Sequence, residues 1–168
     1  MTETAHLYLI RHGIAADATD YPTDEQRPLT VEGGRKTRKV AQRLLELNLH
    51  FDLILTSPLV RARQTAQILH TVGLASHIEE STALVPSGDL KTWLVWLEAW
   101  RQKGGQELAI VGHQPDLSNW AEILLWGEVR KVLTLKKAGI IGLTIPATES
   151  PIGHSQMFWL TPPKFLLN

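Results

Sequence analysis

Between His6 and Gly13 an apolar run, Leu7-Tyr8-Leu9-Ile10, breaks off abruptly into Arg11, His12 and Gly13. A run this short and this uniformly apolar is a strand buried on both faces, which requires covering layers on either side of its sheet. Open α/β sheets place their ligands just beyond the carboxyl ends of their strands. Arg11 and His12 therefore stand at that rim, and Gly13 lets the backbone turn close to a bound group. A planar guanidinium that matches phosphate oxygens, next to an imidazole able to act as nucleophile or acid–base group, describes a phosphate pocket.

The remaining chain supplies the covering helices. A polar loop over residues 14–29, too long for a simple connection, closes with Arg27-Pro28-Leu29-Thr30. Thr30 is a good N-cap, and Thr37, Val40, Ala41, Leu44 and Leu47 predict a helix through about residue 49, despite Gly33-Gly34 near its start. Residues 51–56 read as a second buried strand ending at Ser57-Pro58. A helix follows at once, with Thr65, Ala66, Ile68, Leu69 and Val72 on one face and Gly73 as its stop. After a weak strand over 77–80 and a turn-rich stretch over 84–88 comes a helix striped by Leu90, Trp93, Leu94, Leu97 and Trp100. A strand over 107–111 leads through Gly112-His113-Gln114-Pro115 into a last helix, which buries Leu117, Trp120, Ala121, Leu124 and Leu125 and ends at Gly127. Residues 140–145 and 156–160 form a terminal antiparallel pair. The alternation predicts one domain over residues 1–168: a three-layer α/β/α sandwich with a mostly parallel central sheet and an antiparallel C-terminal strand pair.

With 168 residues, 43% of them hydrophobic, the chain is long enough to bury a substantial core. Seventeen basic and seventeen acidic side chains cancel, so no global field draws nucleic acid or an anionic membrane, and anion binding has to be local. The absence of cysteine removes disulfides, thiolate metal sites and thiol nucleophiles, and fits a reducing compartment. The segment before the first strand is polar, without the pattern of a signal peptide, and no apolar run approaches membrane-spanning length. The expectation is a cytoplasmic protein with neither nucleic-acid nor membrane partners.

Three strand ends carry the same kind of residue. The first ends in Arg11-His12-Gly13, the second runs through Ser57 into a helix whose first turn holds Arg61, and the strand over 107–111 ends in Gly112-His113. In a parallel sheet these ends share one edge, which brings Arg11, His12, Arg61 and His113 together. Two arginines neutralise a phosphoryl dianion and helix N-termini add positive potential, so this pocket needs no metal and no cofactor for its charge balance.

These stretches, with Arg27-Pro28-Leu29-Thr30-Val31-Glu32-Gly33, Thr56-Ser57-Pro58-Leu59-Val60-Arg61-Ala62-Arg63-Gln64-Thr65-Ala66, Pro86-Ser87-Gly88-Asp89 and Val111-Gly112-His113-Gln114-Pro115, occur in the order and spacing of a known family. The chain resembles the histidine phosphatase superfamily, whose hallmark is Arg-His-Gly after the first strand, and within it the compact SixA-type phosphohistidine phosphatases. The resemblance implies a phosphoglycerate mutase-like fold and a two-step phosphoryl transfer. His12 would attack phosphorus through one ring nitrogen, its other nitrogen donating a hydrogen bond, and water would hydrolyse the phosphohistidine formed. Arg11, Arg61 and His113 would bind the phosphoryl oxygens, with Ser57 and the Gly13 backbone as further pocket groups. The implied substrate is a phosphohistidine-bearing protein of a signalling or phosphotransfer system.

One part of the family pattern is missing. Larger members carry a carboxylate after the third strand that protonates the leaving oxygen. The matching region here, Thr82-Ala83-Leu84-Val85-Pro86-Ser87-Gly88-Asp89, has no Glu at that place, which leaves Asp17, Asp20 and Asp89 as candidate substitutes. An imidazole, with a pKa of about 6.5, can leave already protonated, whereas an alkoxide needs an acid. The gap therefore favours phosphohistidine, and the short 81–90 connection leaves little chain for a lid, as suits a protein-borne substrate. A second reading is a small-molecule phosphomonoesterase or mutase of the same superfamily, with a small phosphorylated metabolite as substrate and a carboxylate swinging in from the 14–29 loop. A third is a non-catalytic phosphate-binding or interaction module, against which the intact His12, Arg61 and His113 argue.

Other features read as structural. His6, His50, His70, His77 and His154 lack a motif or close metal-ligand spacing. Trp93, Trp96 and Trp100 read as core packing, and the basic run from Arg130-Lys131 to Lys136-Lys137 as a solvated face. The apolar tail Phe165-Leu166-Leu167 can dock on its own domain or on a second subunit.

Overall fold

The computed structural model describes residues 3–167; Met1 and Thr2 of the polar N-terminal segment and Asn168 of the tail lie outside the described residues. The strands β1 (Ala5–Arg11), β2 (Leu53–Thr56), β3 (Ile78–Glu80), β4 (Glu107–Gly112), β5 (Ile140–Ile145) and β6 (Gln156–Thr161) form one sheet. Its order is β3-β2-β4-β1-β5-β6. β1 is parallel to β4, and β2 to both β3 and β4, while β5 is antiparallel to β1 and to β6. The helices are α1 (Val31–Glu46), α2 (Val60–Val72), α3 (Leu90–Gln102) and α4 (Asp116–Trp126).

Successive strand side chains point to opposite faces, and β1 feeds both cores. Leu7 and Leu9 join Trp93 and Leu97 of α3 and Leu117, Trp120 and Leu124 of α4. Tyr8 and Ile10 join Val40 and Leu44 of α1 and Ala66 and Leu69 of α2. This is the expected three-layer sandwich, mostly parallel with an antiparallel β5–β6 pair. Trp93 packs against Trp120 with ring centroids 5.4 Å apart, while Trp96 and Trp100 stack on each other, partly buried. Leu166 of the tail is buried against the α1–α2 side of its own chain, and Phe165 stays exposed.

Two features of α1 depart from the periodicity. The helix stops at Glu46 rather than near residue 49, because Asn48 takes a left-handed backbone (φ 63°). The Leu49 N–H then donates to the Leu44 carbonyl and the Asn48 N–H to that of Leu45, closing the end with a Schellman motif. Gly33, a poor helix former, sits in the first turn because a side chain there would collide with the Ile14 carbonyl. That close approach ties α1 to the loop leaving β1, as the Thr30 N–H donates to the same carbonyl at 2.9 Å. Among the described residues no helix is long and apolar enough to cross a membrane.

Candidate active site

Strand register sets the site. Arg11 lies opposite Gly112 and Thr56 opposite Val111, so His12, Ser57 and His113 leave adjacent strands at one level. The His12 N–H donates to Gly112 and the Ser57 N–H to Val111, which fixes these departures. Arg11, His12, Arg61 and His113, 102 positions apart at their extremes, thus meet at one edge, and the His12 and His113 rings lie 5.3 Å apart.

His12 is buried and held by two contacts. Its Nδ1 lies 2.7 Å from the Gly13 carbonyl, which can only accept, so Nδ1 carries the proton. Nε2 then keeps its lone pair and accepts from Arg61 Nε–H at 3.3 Å. Arg61 is also buried, and its placement depends on a chain of bonds through α2. The Gly13 N–H donates to Thr65 Oγ1, and that hydroxyl donates to the Arg61 carbonyl one turn earlier. Gly13 itself has no room for a side chain, since a Cβ would strike Thr37 Oγ1.

The imidazoles are held neutral. Burial above all, with His113, Arg61 and Arg11 nearby, pushes His12 down to about 3 against the opposing pull of the Gly13 carbonyl. Burial and then Arg61 lower His113 to about 4. His113 Nε2 lies 2.8 Å from Ser57 Oγ, which already accepts from the Leu59 N–H. We assign the Ser57 hydrogen to His113 Nε2, which leaves the ring proton on Nδ1, a buried atom without a hydrogen-bond partner among the described residues. Arg11 donates through one guanidinium nitrogen to the Leu135 carbonyl at 3.0 Å.

The carboxylates named from sequence lie outside the cluster. Asp17 caps a short turn by accepting from Thr19, Asp20 lies exposed in that same turn, and Asp89 caps α3 by accepting from Lys91 and Thr92. Among the described residues none of the three bonds to His12, Arg11, Arg61 or His113. The carboxylate that reaches the cluster is Asp24, in a 3-10 turn (Asp24–Gln26) of the 14–29 loop. Its Oδ2 accepts from Arg61 at 2.9 Å and its Oδ1 from Arg27 at 2.8 Å, while its carbonyl accepts a third bond from Arg61. Partial burial pushes the Asp24 carboxyl up, but the hydrogen bonds from Arg27 and Arg61 outweigh it and hold the group below its usual range. The only clue in sequence was its position three residues before Arg27.

The family model of the histidine phosphatase superfamily (branch 1) matches residues 7–84. An uncharacterised protein of Picosynechococcus sp. strain PCC 7002 is 51% identical over 96% of this chain and 98% of its own length. Phosphohistidine phosphatase SixA of Escherichia coli strain K12 is 30% identical over 76% of this chain and 79% of its own. The solved structure of the protein histidine phosphatase SixA complexed with tungstate superposes with a TM-score of 0.82 at 27% identity, covering 96% of this chain and 99% of that one. Sequence and fold converge: this chain belongs to the histidine phosphatase superfamily, with SixA among its homologues.

Proposed function

We propose that this chain is a cytoplasmic phosphatase that passes the phosphoryl group through a covalent phosphohistidine on His12, and that its substrate is phosphohistidine in a protein. The observation that carries the reading is the orientation of His12, with Nδ1–H fixed on the Gly13 carbonyl and the Nε2 lone pair facing the Arg61 guanidinium. In the first step Nε2 attacks phosphorus while the bond from phosphorus to the substrate imidazole breaks. That imidazole already carries a proton on its other nitrogen, so it leaves neutral without a general acid. In the second step water attacks phosphorus, the bond to Nε2 breaks, and inorganic phosphate departs as the water proton passes to solvent. Arg11, Arg61 and His113 Nδ1–H supply fixed donors for the phosphoryl oxygens, so catalysis rests on positioning and electrostatics. The incoming dianion takes the place that the Asp24 carboxylate holds on Arg61.

The test is a side-by-side turnover assay on a histidine-phosphorylated phosphotransfer domain and a panel of sugar phosphates, phosphoglycerates and phosphoserine peptides. The reading expects clear preference for the first; preference for a phosphomonoester overturns it. One observation favours that second reading, a small-molecule phosphomonoesterase: Asp24 brings a carboxylate from the 14–29 loop to the cluster. Two guanidinium groups hold Asp24 ionised, the wrong state for an acid. Asp24→Asn therefore leaves phosphohistidine turnover nearly intact, whereas a drop of about a hundredfold or more in phosphomonoester turnover would mark Asp24 as the acid.

A further inference from the structure

A cavity of about 360 Å³ opens beside the cluster, between α1, the 136–138 segment and the C-terminal 3-10 turn (Pro163–Leu166). Arg11 forms part of its wall, but His12, Arg61 and His113 do not. Four lysines, Lys36 and the exposed Lys136, Lys137 and Lys164, bring the cations of its lining to five, and among the described residues no acidic side chain lines it. Lys36 has the Glu32 carboxylate at 3.8 Å and Lys164 Nζ lies 5.1 Å from the Phe165 ring centroid; Lys136, Lys137 and Lys164 have no ion pair among the described residues. In a chain with no net charge, five cations around one small cavity repel one another, and an anion seated among them relieves that repulsion.

Two buried polar atoms belong to residues of the wall. Thr37 is 2% exposed and lines the cavity, yet its hydroxyl has no hydrogen-bond partner among the described residues, and neither does Arg11 Nε. Both atoms are shut off from solvent behind the wall, Thr37 Oγ1 against Gly13, so the case for a ligand rests on the cations that line the cavity. Ala138, also in the wall, holds a left-handed backbone (φ 61°) that a side chain disfavours, and its N–H is shared between the Arg11 and His12 carbonyls. The Leu135 and Gly139 carbonyls accept from the Arg11 side chain and backbone. The lysine-bearing segment is thus strapped to the strand end that presents Arg11.

We propose that this cavity is a second anion site that binds a small polyphosphate. Five cations exceed what one phosphoryl dianion neutralises, and the volume lies within the range of small-molecule pockets. Ile14, Pro163 and Leu167 give it an apolar side on which an organic body attached to the phosphates can rest.

The test is magnesium-free titration calorimetry of the full chain with two probes, inorganic tripolyphosphate and ATP. At least one binds saturably at one site. Tighter binding of ATP assigns the apolar wall to an organic body, equal binding assigns the site to the polyphosphate chain, and both uphold the proposal. Arg61→Gln weakens the active site and leaves a saturable site in place; in that background Lys136→Gln/Lys137→Gln/Lys164→Gln weakens binding about tenfold or more, whereas Lys103→Gln, exposed and away from the cavity, leaves it unchanged. Lys164→Gln alone removes one exposed cation and weakens binding several-fold, which keeps the test decisive should the triple variant misfold. No saturable binding, binding indifferent to the lysines, or binding lost with Arg61 overturns the proposal. The readout needs no turnover, so it stands or falls apart from the proposed phosphatase activity.

Discussion

At His12 a single hydrogen bond decides which nitrogen can react, and burial decides its charge. With His12 pushed down to about 3 and His113 to about 4, both rings are neutral throughout the physiological range. In the proposed mechanism the neutral form of His12 is the nucleophile, so kcat/KM should lose activity only as pH falls toward these values. We expect no enzyme-derived acid limb above about pH 5, measured with a substrate that does not itself titrate there. A limb near 6.5 would mean that one imidazole titrates as if solvated. Thr65→Val keeps the shape of α2 but strands the Gly13 N–H and frees the Arg61 carbonyl. It should cost about 1–3 kcal/mol in urea denaturation and lower turnover by loosening Arg61. Arg11, His12, Arg61 and His113 were legible because each follows a recognisable strand end. Asp24 was not, since its partner Arg61 lies 37 residues away and the i,i+3 spacing to Arg27 alone does not lift one Asp of a polar loop above another.

At the scale of the element, α1 shows where periodicity informs and where it fails. Its N-cap was legible, as Thr30 Oγ1 does accept from the Gly33 N–H. Its end was not, because apolar spacing continued into Leu47 and Leu49 while Asn48 had already turned left-handed. Gly33 and Gly34 look alike in sequence but differ in surroundings. Gly34 has open space where a Cβ would go, so Gly34→Ala should stabilise the protein by about 0.5–1 kcal/mol through helix propensity. Gly33→Ala drives a methyl into the Ile14 carbonyl and should destabilise by about 1–3 kcal/mol, disturbing the loop after His12 as well. Thermal melts of the two variants should move in opposite directions; parallel shifts would show that the contact between α1 and the loop yields freely. Lys136 and Lys137 are exposed, as the solvated-face reading of the basic run expects; that they also line a cavity with the C-terminal turn follows only from the tertiary fold.

For the whole molecule, the sandwich was legible because each short apolar run demanded cover on both faces, and the antiparallel pair because its two runs flank a turn-rich loop. The neutral, buried His12 and His113 make the fold sensitive to acid. An unfolded chain binds protons on both below about 6.5, while the folded chain resists protonation down to about 3 and 4, so stability rises with pH across that window. Each histidine should cost on the order of 2 kcal/mol between pH 7 and pH 5. Urea midpoints should therefore fall on acidification in the wild type and fall less in His12→Gln; equal falls would show that His12 is not held neutral. The central claim is that the phosphoryl group passes through His12. Its most direct test is acid-labile, base-stable phosphoenzyme trapped by rapid alkaline quench from a histidine-phosphorylated phosphotransfer domain labelled at phosphorus. The account predicts label on His12 at short times in the wild type, and neither label nor turnover in His12→Ala. Undiminished turnover by His12→Ala, or label on a residue other than His12, would contradict it.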